Sequence, residues 1–288
     1  MSSKLDTRAI GLDVGLSFVR WLTGAENLHY GFWTGLAPAA ANLGAAQEAY
    51  TQRLFALLPE GRPLRILDIG GGAGETAKKL LALGHAVEIV VPSPFLAARC
   101  RENAPSARVH ECTFEDFAGN GRFDLCLFSE SFQYIPLDTA LTKSLGLLAE
   151  GGRIVIADCF RTEAYKGRHV DGPKPGGGHH LSAFRDAVGR LPLTIESEDD
   201  ITEAVAPSVE LEQRLFHVVG HGLTRIDGEL AGKKPVLRWL LARVVGLFLS
   251  ARRRAALMAR LTGHERTSEA FLTYNRYLML RLCPAAGE

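Results

Sequence analysis

Much that would place this chain outside the cell or within a membrane is missing from it. Its 288 residues hold only five cysteines, Cys100, Cys112, Cys126, Cys159 and Cys283, an odd set with no CxxC pair. That excludes a disulfide framework and predicts buried, reduced thiols in a cytosolic protein. No run reaches about 18 uncharged apolar residues, so a spanning helix is not expected. The longest candidate, Trp239 to Leu249, is broken by Arg243. No N-terminal stretch combines the basic, apolar and cleavage regions of a signal peptide, and the expected location is cytoplasmic. Charge of one sign is also missing: the net charge is +1, which gives no global case for a nucleic-acid partner. An apolar fraction of 47% and a charged fraction of 23% are ordinary for a soluble globular chain. The length suffices for one full core and a subdomain.

What is present is an alternation of short apolar strands and helices. Residues 1 to about 60 read as helical, with Ala39 to Leu58 rich in Ala, Leu and Gln and closed by Pro59-Glu60-Gly61. Strands are expected at Leu64–Ile69, Ala86–Val91, Arg108–Glu111, Phe123–Phe128 and Arg153–Cys159, separated by helices. This rhythm predicts an α/β fold with a Rossmann-like, mostly parallel sheet covered by helices on both faces. DGPKPGGGHH (171–180) reads as a glycine-rich loop. A helix over Leu181–Leu191, a strand over Leu193–Glu198, a helical region from about 202 to 272 and a final edge strand over Asn275–Leu282 follow. The expected division is an N-terminal helical lid (1–60), a cofactor-binding core (61–200), a helical cap inserted between the last two strands (201–273) and a closing core strand (274–288).

Charge is uneven in that cap. Residues 196–212 hold seven acids and no Lys or Arg, whereas residues 233–266 hold two Lys and seven Arg against Glu265 alone. Two readings stay open: solvated helix faces that partly pair, or a basic amphipathic helix that meets a membrane surface or an anionic substrate.

Asp68-Ile69-Gly70-Gly71-Gly72-Ala73-Gly74 follows a strand and opens a helix. In that setting glycines let backbone N–H groups approach a ligand and let the helix pack close to the sheet. LDIGGGAGETA resembles the first motif of class I S-adenosylmethionine-dependent methyltransferases. FDLCLFSESFQYIP is similar to their fourth-strand motif, and LLAEGGRIVIADCF to their fifth strand. The match covers about residues 60–160 and implies a seven-stranded sheet. HYGFW at 29–33 and the helical insert resemble the tocopherol and sterol C-methyltransferase branch.

The resemblance implies S-adenosylmethionine as cofactor, with Asp68, Gly70, Gly72 and Gly74 around its methionine part and Ser129 and Glu130 beneath the sulfonium. It places the ribose and adenine beside Val91, Ser93, Thr113 and Phe114. Here the chain departs from the pattern. The family's ribose acid falls on Val91 and its adenine-side acid or amide near Thr113. Three explanations compete: ribose held by backbone and Ser93 or by Glu115 or Glu75, a variant cofactor, or loss of methyl transfer. The last leaves as alternative function a methyltransferase-fold binding protein or non-methylating enzyme.

Methyl transfer from a sulfonium needs alignment and dryness, and a base only where the acceptor must lose a proton. Candidate bases are Glu130, Tyr30, His29, His179 and His180, with Glu130, Tyr30 and His180 foremost. Adjacent imidazoles at 179–180 project differently and have no carboxylate nearby, so no metal site is expected. His29, Trp33, Phe132, Tyr134 and Phe160 predict an aromatic-lined pocket, closed by the lid, for a small hydrophobic acceptor of isoprenoid, lipid or natural-product type. Methylation at carbon or at oxygen and the oligomeric state stay open.

Overall fold

The structure, a computed structural model, describes residues 7–167, 176–248, 250–263 and 266–285. The glycine-rich stretch singled out above therefore lies, up to residue 175, outside the described residues.

Helices α1 (Thr7–Thr23) and α2 (Leu43–Phe55) precede an alternation of β1 (Arg65–Ile69), α3 (Glu75–Ala82), β2 (Ala86–Val90), α4 (Pro94–Asn103) and β3 (Arg108–His110). Next come β4 (Phe123–Ser129), α5 (Leu137–Leu147), β5 (Leu148–Arg161), α6 (Leu181–Arg190) and β6 (Leu193–Asp200). Four helices follow: α7 (Thr202–Lys233), α8 (Pro235–Phe248), α9 (Ala251–Thr262) and α10 (Ser268–Tyr274). Strand β7 (Asn275–Pro284) comes last.

The strands form one seven-stranded sheet in the order β3-β2-β1-β4-β5-β7-β6. All are parallel except β7, which runs antiparallel to both β5 and β6. The Rossmann-like expectation thus holds, including the helical insert between the last two strands in sequence. Strand order reverses between β1 and β4, and in open α/β sheets the crevice at that point, beyond the carboxyl ends of the strands, receives the ligand.

Side-chain alternation divides the core into two layers. One holds Ile66, Ile89, Val91, Leu127, Cys159 and Tyr277 against α2, α3, α4, α7 and α10. The other holds Leu67, Phe128, Ile156, Phe160 and Leu280 against α5 and α6.

Two sequence expectations need correction. Strand β7 is not an edge strand. It is inserted between β5 and β6, and its residues are apolar toward both layers, Tyr277 and Met279 on one side and Leu278, Leu280 and Leu282 on the other. Burial on both faces is the mark of an interior strand. The N-terminal 60 residues are not one helical block: the connection between α1 and α2 is extended, and it contains HYGFW. Main-chain pairing fixes it from two sides, Phe32 N–H on Ala46 O (2.8 Å) and Trp33 N–H on Ala204 O (2.8 Å). The helical region expected from about 202 to 272 is present, and within it α7 alone spans 32 residues, about 48 Å at 1.5 Å per residue. Its second half leaves the core.

Candidate active site

The first site element is the turn after β1. Asp68 shares the β1 face of Ile66 and is 1% exposed. Burial pushes its carboxyl up to about 7. Its Oδ2 has no hydrogen-bond partner, an orphaned acceptor directly under the glycine turn. Such an atom is costly unless a cationic or donor group meets it. Gly70, Gly72 and Gly74 all have positive φ. At Gly71 an added Cβ would lie 2.6 Å from Asp68 Oδ2 and 2.8 Å from Ile89 Cγ2, so only glycine lets the turn lie this close over the carboxylate. At Gly72 (φ +56) an added Cβ would meet only Leu28 Cδ1, at 3.4 Å. That open space over a left-handed turn is a cradle for a ligand's polar chain. The residues present therefore fit the amino-acid end of S-adenosylmethionine, a cationic group with hydrogen-bond donors.

The ribose and adenine side is less endowed. Val91 is buried in the apolar layer with Ile89 and Cys100, and its N–H donates to His110 O (3.0 Å). Ser93 caps α4, its Oγ accepting from Leu96 N–H. Thr113 is exposed and binds Asp116 through its hydroxyl (2.8 Å). Phe114 packs in the opposite layer, against Phe117 and Phe128. The other acids considered for ribose are engaged or outlying: Glu75 Oε1 accepts the Glu26 N–H (3.3 Å), and Glu115 is exposed.

The second element is the exit of β4. Glu130 is the one non-glycine residue with positive φ (57°) among the described residues. Holding an L-residue there costs about 1–3 kcal/mol, a strain that concentrates at functional sites. The turn aims the carboxylate into a cage of tyrosines. Glu130 Oε1 accepts from Tyr30 N–H (2.7 Å) and from Tyr277 OH (3.0 Å). Tyr277 OH also meets Tyr50 OH at 2.8 Å, and Tyr50 OH meets Ser129 Oγ at 3.3 Å. Burial pushes the Glu130 carboxyl up to about 8; nearby Asp158 adds to the rise, while the Tyr30 and Tyr277 hydrogen bonds oppose it. Burial likewise holds the three tyrosines in their neutral forms.

The HYGFW segment closes this cage. Tyr30 OH accepts from Arg266 (3.1 Å), which pairs with Glu212 (3.0 Å), and the Tyr30 ring stands edge-on to Phe271. Trp33 is buried, and its indole N–H donates to Ser208 Oγ (2.7 Å) on α7, as does Gly31 N–H (3.0 Å). His29 is stacked on Tyr50 at 4.4 Å. Burial pushes its imidazole down to about 4, so it is neutral at working pH.

The structure brings Asp68, Ser129, Glu130 and Tyr30 to one side of the sheet, at adjoining strand ends. It does not bring the other aromatics there. Phe132 and Phe160 belong to the opposite layer, with Phe184. The reason is strand alternation: Cys159 points to the Glu130 side, so Phe160 points away. Tyr134 is 75% exposed. His179 is tied to the carbonyls of Phe132 and Ile135. His180 precedes α6, packs near Tyr165 and makes no contact with Glu130, Tyr30 or Asp68 among the described residues. The rings around the carboxylate are instead Tyr50, Tyr277 and Phe271. Sequence reasoning missed them. A tyrosine inside an apolar run such as YLML is the available signal, because a buried phenol needs a partner, yet it does not say which partner.

Residues 67–156 match the family model described as "Methyltransferase domain". The chain is 25% identical over 199 residues to the 27-O-demethylrifamycin SV methyltransferase of Amycolatopsis mediterranei (strain S699), covering 64% of this chain and 72% of that protein. It shares its fold with geranyl diphosphate C-methyltransferase from Streptomyces coelicolor A3(2), with a TM-score of 0.62 at 16% identity over 93% of this chain and 92% of that one. A mycolic acid cyclopropane synthase complexed with SAH and CTAB gives a TM-score of 0.66 at 15% identity, over 94% and 95% of the two chains. Sheet order, glycine turn and sequence relatives agree: residues 67–156 carry a methyltransferase domain, and the chain as a whole has the fold of class I S-adenosylmethionine-dependent methyltransferases.

Proposed function

We propose that this methyltransferase acts on a small hydrophobic acceptor of isoprenoid, lipid or natural-product type, at carbon or oxygen. The observation that carries this reading is the desolvated carboxylate of Glu130, ringed by neutral tyrosines at the sheet's switch point. Such a lining is mostly aromatic and offers apolar contact, its charges being Glu130 itself and the Arg266–Glu212 pair behind Tyr30. The 27-O-demethylrifamycin SV methyltransferase, 25% identical, is a relative that supports a natural-product acceptor.

The cofactor, when bound, supplies an activated methyl group on a sulfonium. The protein's residues do the rest. Asp68 Oδ2 would accept from the cofactor's ammonium, and the open space over Gly72 would take its polar end; the Gly70, Gly72 and Gly74 N–H groups are spent on the Val90, Gly70 and Gly71 carbonyls and hold the turn in shape. Tyr30 N–H and Tyr277 OH fix Glu130 through Oε1, which leaves Oε2 to take a proton from the acceptor. Trp33 and Gly31, anchored on Ser208, keep the lid segment closed and exclude water. Release of S-adenosylhomocysteine with lipid, quinone and isoprenyl acceptors tests the reading. Turnover confined to polar amines or acids would reject the hydrophobic site while leaving the methyltransferase assignment intact. The burial of Val91 and the exposure of Thr113 favour one second reading, a chain that holds the cofactor without transferring methyl. Tight S-adenosylhomocysteine binding with no turnover on any acceptor would select it.

Two binding measurements probe the cofactor side. Asp68 is largely protonated below its value of about 7 in the free protein. A bound ammonium stabilises the ionised form, so binding lowers that value and releases a proton. Affinity for S-adenosylhomocysteine should therefore rise with pH up to about 7, with proton release visible by calorimetry in buffers of different ionisation enthalpy. Asp68→Asn should abolish the release and weaken binding about 10- to 100-fold.

Val91→Asp addresses the missing ribose acid. If Val91 merely forgoes a hydrogen bond, the new carboxylate gains the ribose hydroxyls as partners and affinity rises about 10-fold. A folded variant that binds more weakly would mean that the apolar layer stays closed around position 91 in the complex, leaving the charge unpaired.

A further inference from the structure

The second half of α7 and the whole of α8 stand away from the core, and every residue from 231 to 247 is exposed. Exposure alone would suit a charged helix. Here the sequence is apolar: Leu237, Leu240, Leu241 and Val244, at i, i+3, i+4 and i+7, form one continuous uncovered stripe. Leu247 is 82% and Trp239 55% exposed. Among the described residues nothing covers this surface, and a contiguous apolar face of that kind marks an interaction site.

Charge identifies the occupant. Lys234 just before α8, Arg243 within it and Arg252 and Arg253 at the start of α9 are exposed, and Arg243 lies over the Trp239 ring at 4.7 Å. Lys233, Arg238, Arg260 and Arg266 are paired with Glu229, Asp227 and Glu212, and the remaining Lys234, Arg243, Arg252, Arg253 and Arg254 on a second copy of the same arm would still set cations against cations. Leu and Trp on one face with Arg and Lys flanking them is the composition of a helix lying in a bilayer interface. No described helix is long and apolar enough to cross a membrane, so the contact would be peripheral.

We propose that α8, at the tip of the α7 arm, docks the enzyme on an anionic phospholipid bilayer and thereby presents a membrane-dissolved acceptor to the Glu130 site. The two ends are mechanically joined. The same α7 that carries the arm holds Ser208, to which Gly31 and Trp33 are hydrogen-bonded, and Glu212, which pairs with the Arg266 that binds Tyr30. The inference rests on the hydrophobic-acceptor reading for its purpose, but the docking itself can be measured without turnover.

The experiment is co-sedimentation of the full chain with vesicles of phosphatidylcholine mixed with phosphatidylglycerol, against vesicles of phosphatidylcholine alone. The mass of the free protein is read by light scattering in parallel. Binding to the mixed vesicles should be at least about 10-fold tighter and should weaken as salt rises. Leu240→Glu/Val244→Glu should abolish it, and Arg252→Glu/Arg253→Glu should weaken it, with melting temperature and S-adenosylhomocysteine affinity unchanged because these side chains touch neither core nor turn. Absence of vesicle binding, or binding that survives Leu240→Glu/Val244→Glu, overturns the proposal. So does a stable dimer that the same double substitution splits, because a second copy would then cover the stripe. If a water-soluble apolar acceptor is turned over by an enzyme that ignores vesicles, docking fails and the substrate class stands. If vesicles are bound but only polar acceptors react, the reverse holds.

Discussion

Glu130→Gln is expected to lower turnover more than about 100-fold while leaving S-adenosylhomocysteine binding nearly unchanged. Glutamine keeps an acceptor oxygen for Tyr30 N–H and Tyr277 OH, so the cage survives, but it cannot take a proton. The pH profile separates this from a packing defect. The free carboxyl stands at about 8 through burial, so kcat/KM of the wild type should rise with pH toward that value. A bound sulfonium is a nearby cation and favours the ionised carboxylate, which moves the corresponding limb of kcat to lower pH. Both limbs should vanish in the variant. Stability should move the other way. A carboxyl raised on folding loses stability as pH climbs from the ordinary carboxylate range toward about 8, and the amide has no such dependence. A variant with full turnover, or one that loses activity only by unfolding, would remove Glu130 from the chemistry.

Gly72→Val is the second large effect. The left-handed φ of +56 disfavours any L-residue by about 1–2 kcal/mol, and a branched one more. Among the described residues only Leu28 walls that space, so a folded variant should exist at reduced melting temperature. Its isopropyl group would occupy the cradle above Asp68, and cofactor affinity should fall at least about 100-fold, near 2.7 kcal/mol. Unchanged affinity in a folded variant would detach the glycine turn from cofactor binding.

The cofactor half of the site was legible because it is local. A strand, an acid and spaced glycines within seven residues place each other through one turn, and Asp68 lies where that spacing puts it. The chemical half is not local. Tyr30 and Glu130 are joined by one hydrogen bond across a sequence separation of 100, and Tyr277 reaches the same oxygen across 147. Register and strand order decide such meetings, and neither is written at a single position. The aromatic pocket failed for the same reason. Phe132 and Phe160 carry the right chemistry, but alternation turns them to the other layer. Strand β7 shows the opposite case: its residues are apolar on both faces, and a reading that took the final strand for an edge passed over that sign.

The place of β7 also fixes an order of events during folding. Strands β5 and β6 have no bond to each other until β7 enters between them, paired to β5 through Ile154↔Leu282 and to β6 through Asp200↔Leu278. Those partners are far apart along the chain, and closures of high sequence separation form slowly. The parallel sheet of β1, β2 and β4 can assemble first and leave two open edges on the unfinished side. Because Tyr277 arrives on the same strand, the carboxylate cage is among the last structures to form. Pulse-labelled hydrogen exchange during refolding should show amides of β1 and β4 protected before those of β7. Cofactor affinity and catalytic competence would then appear at different moments in the life of one chain.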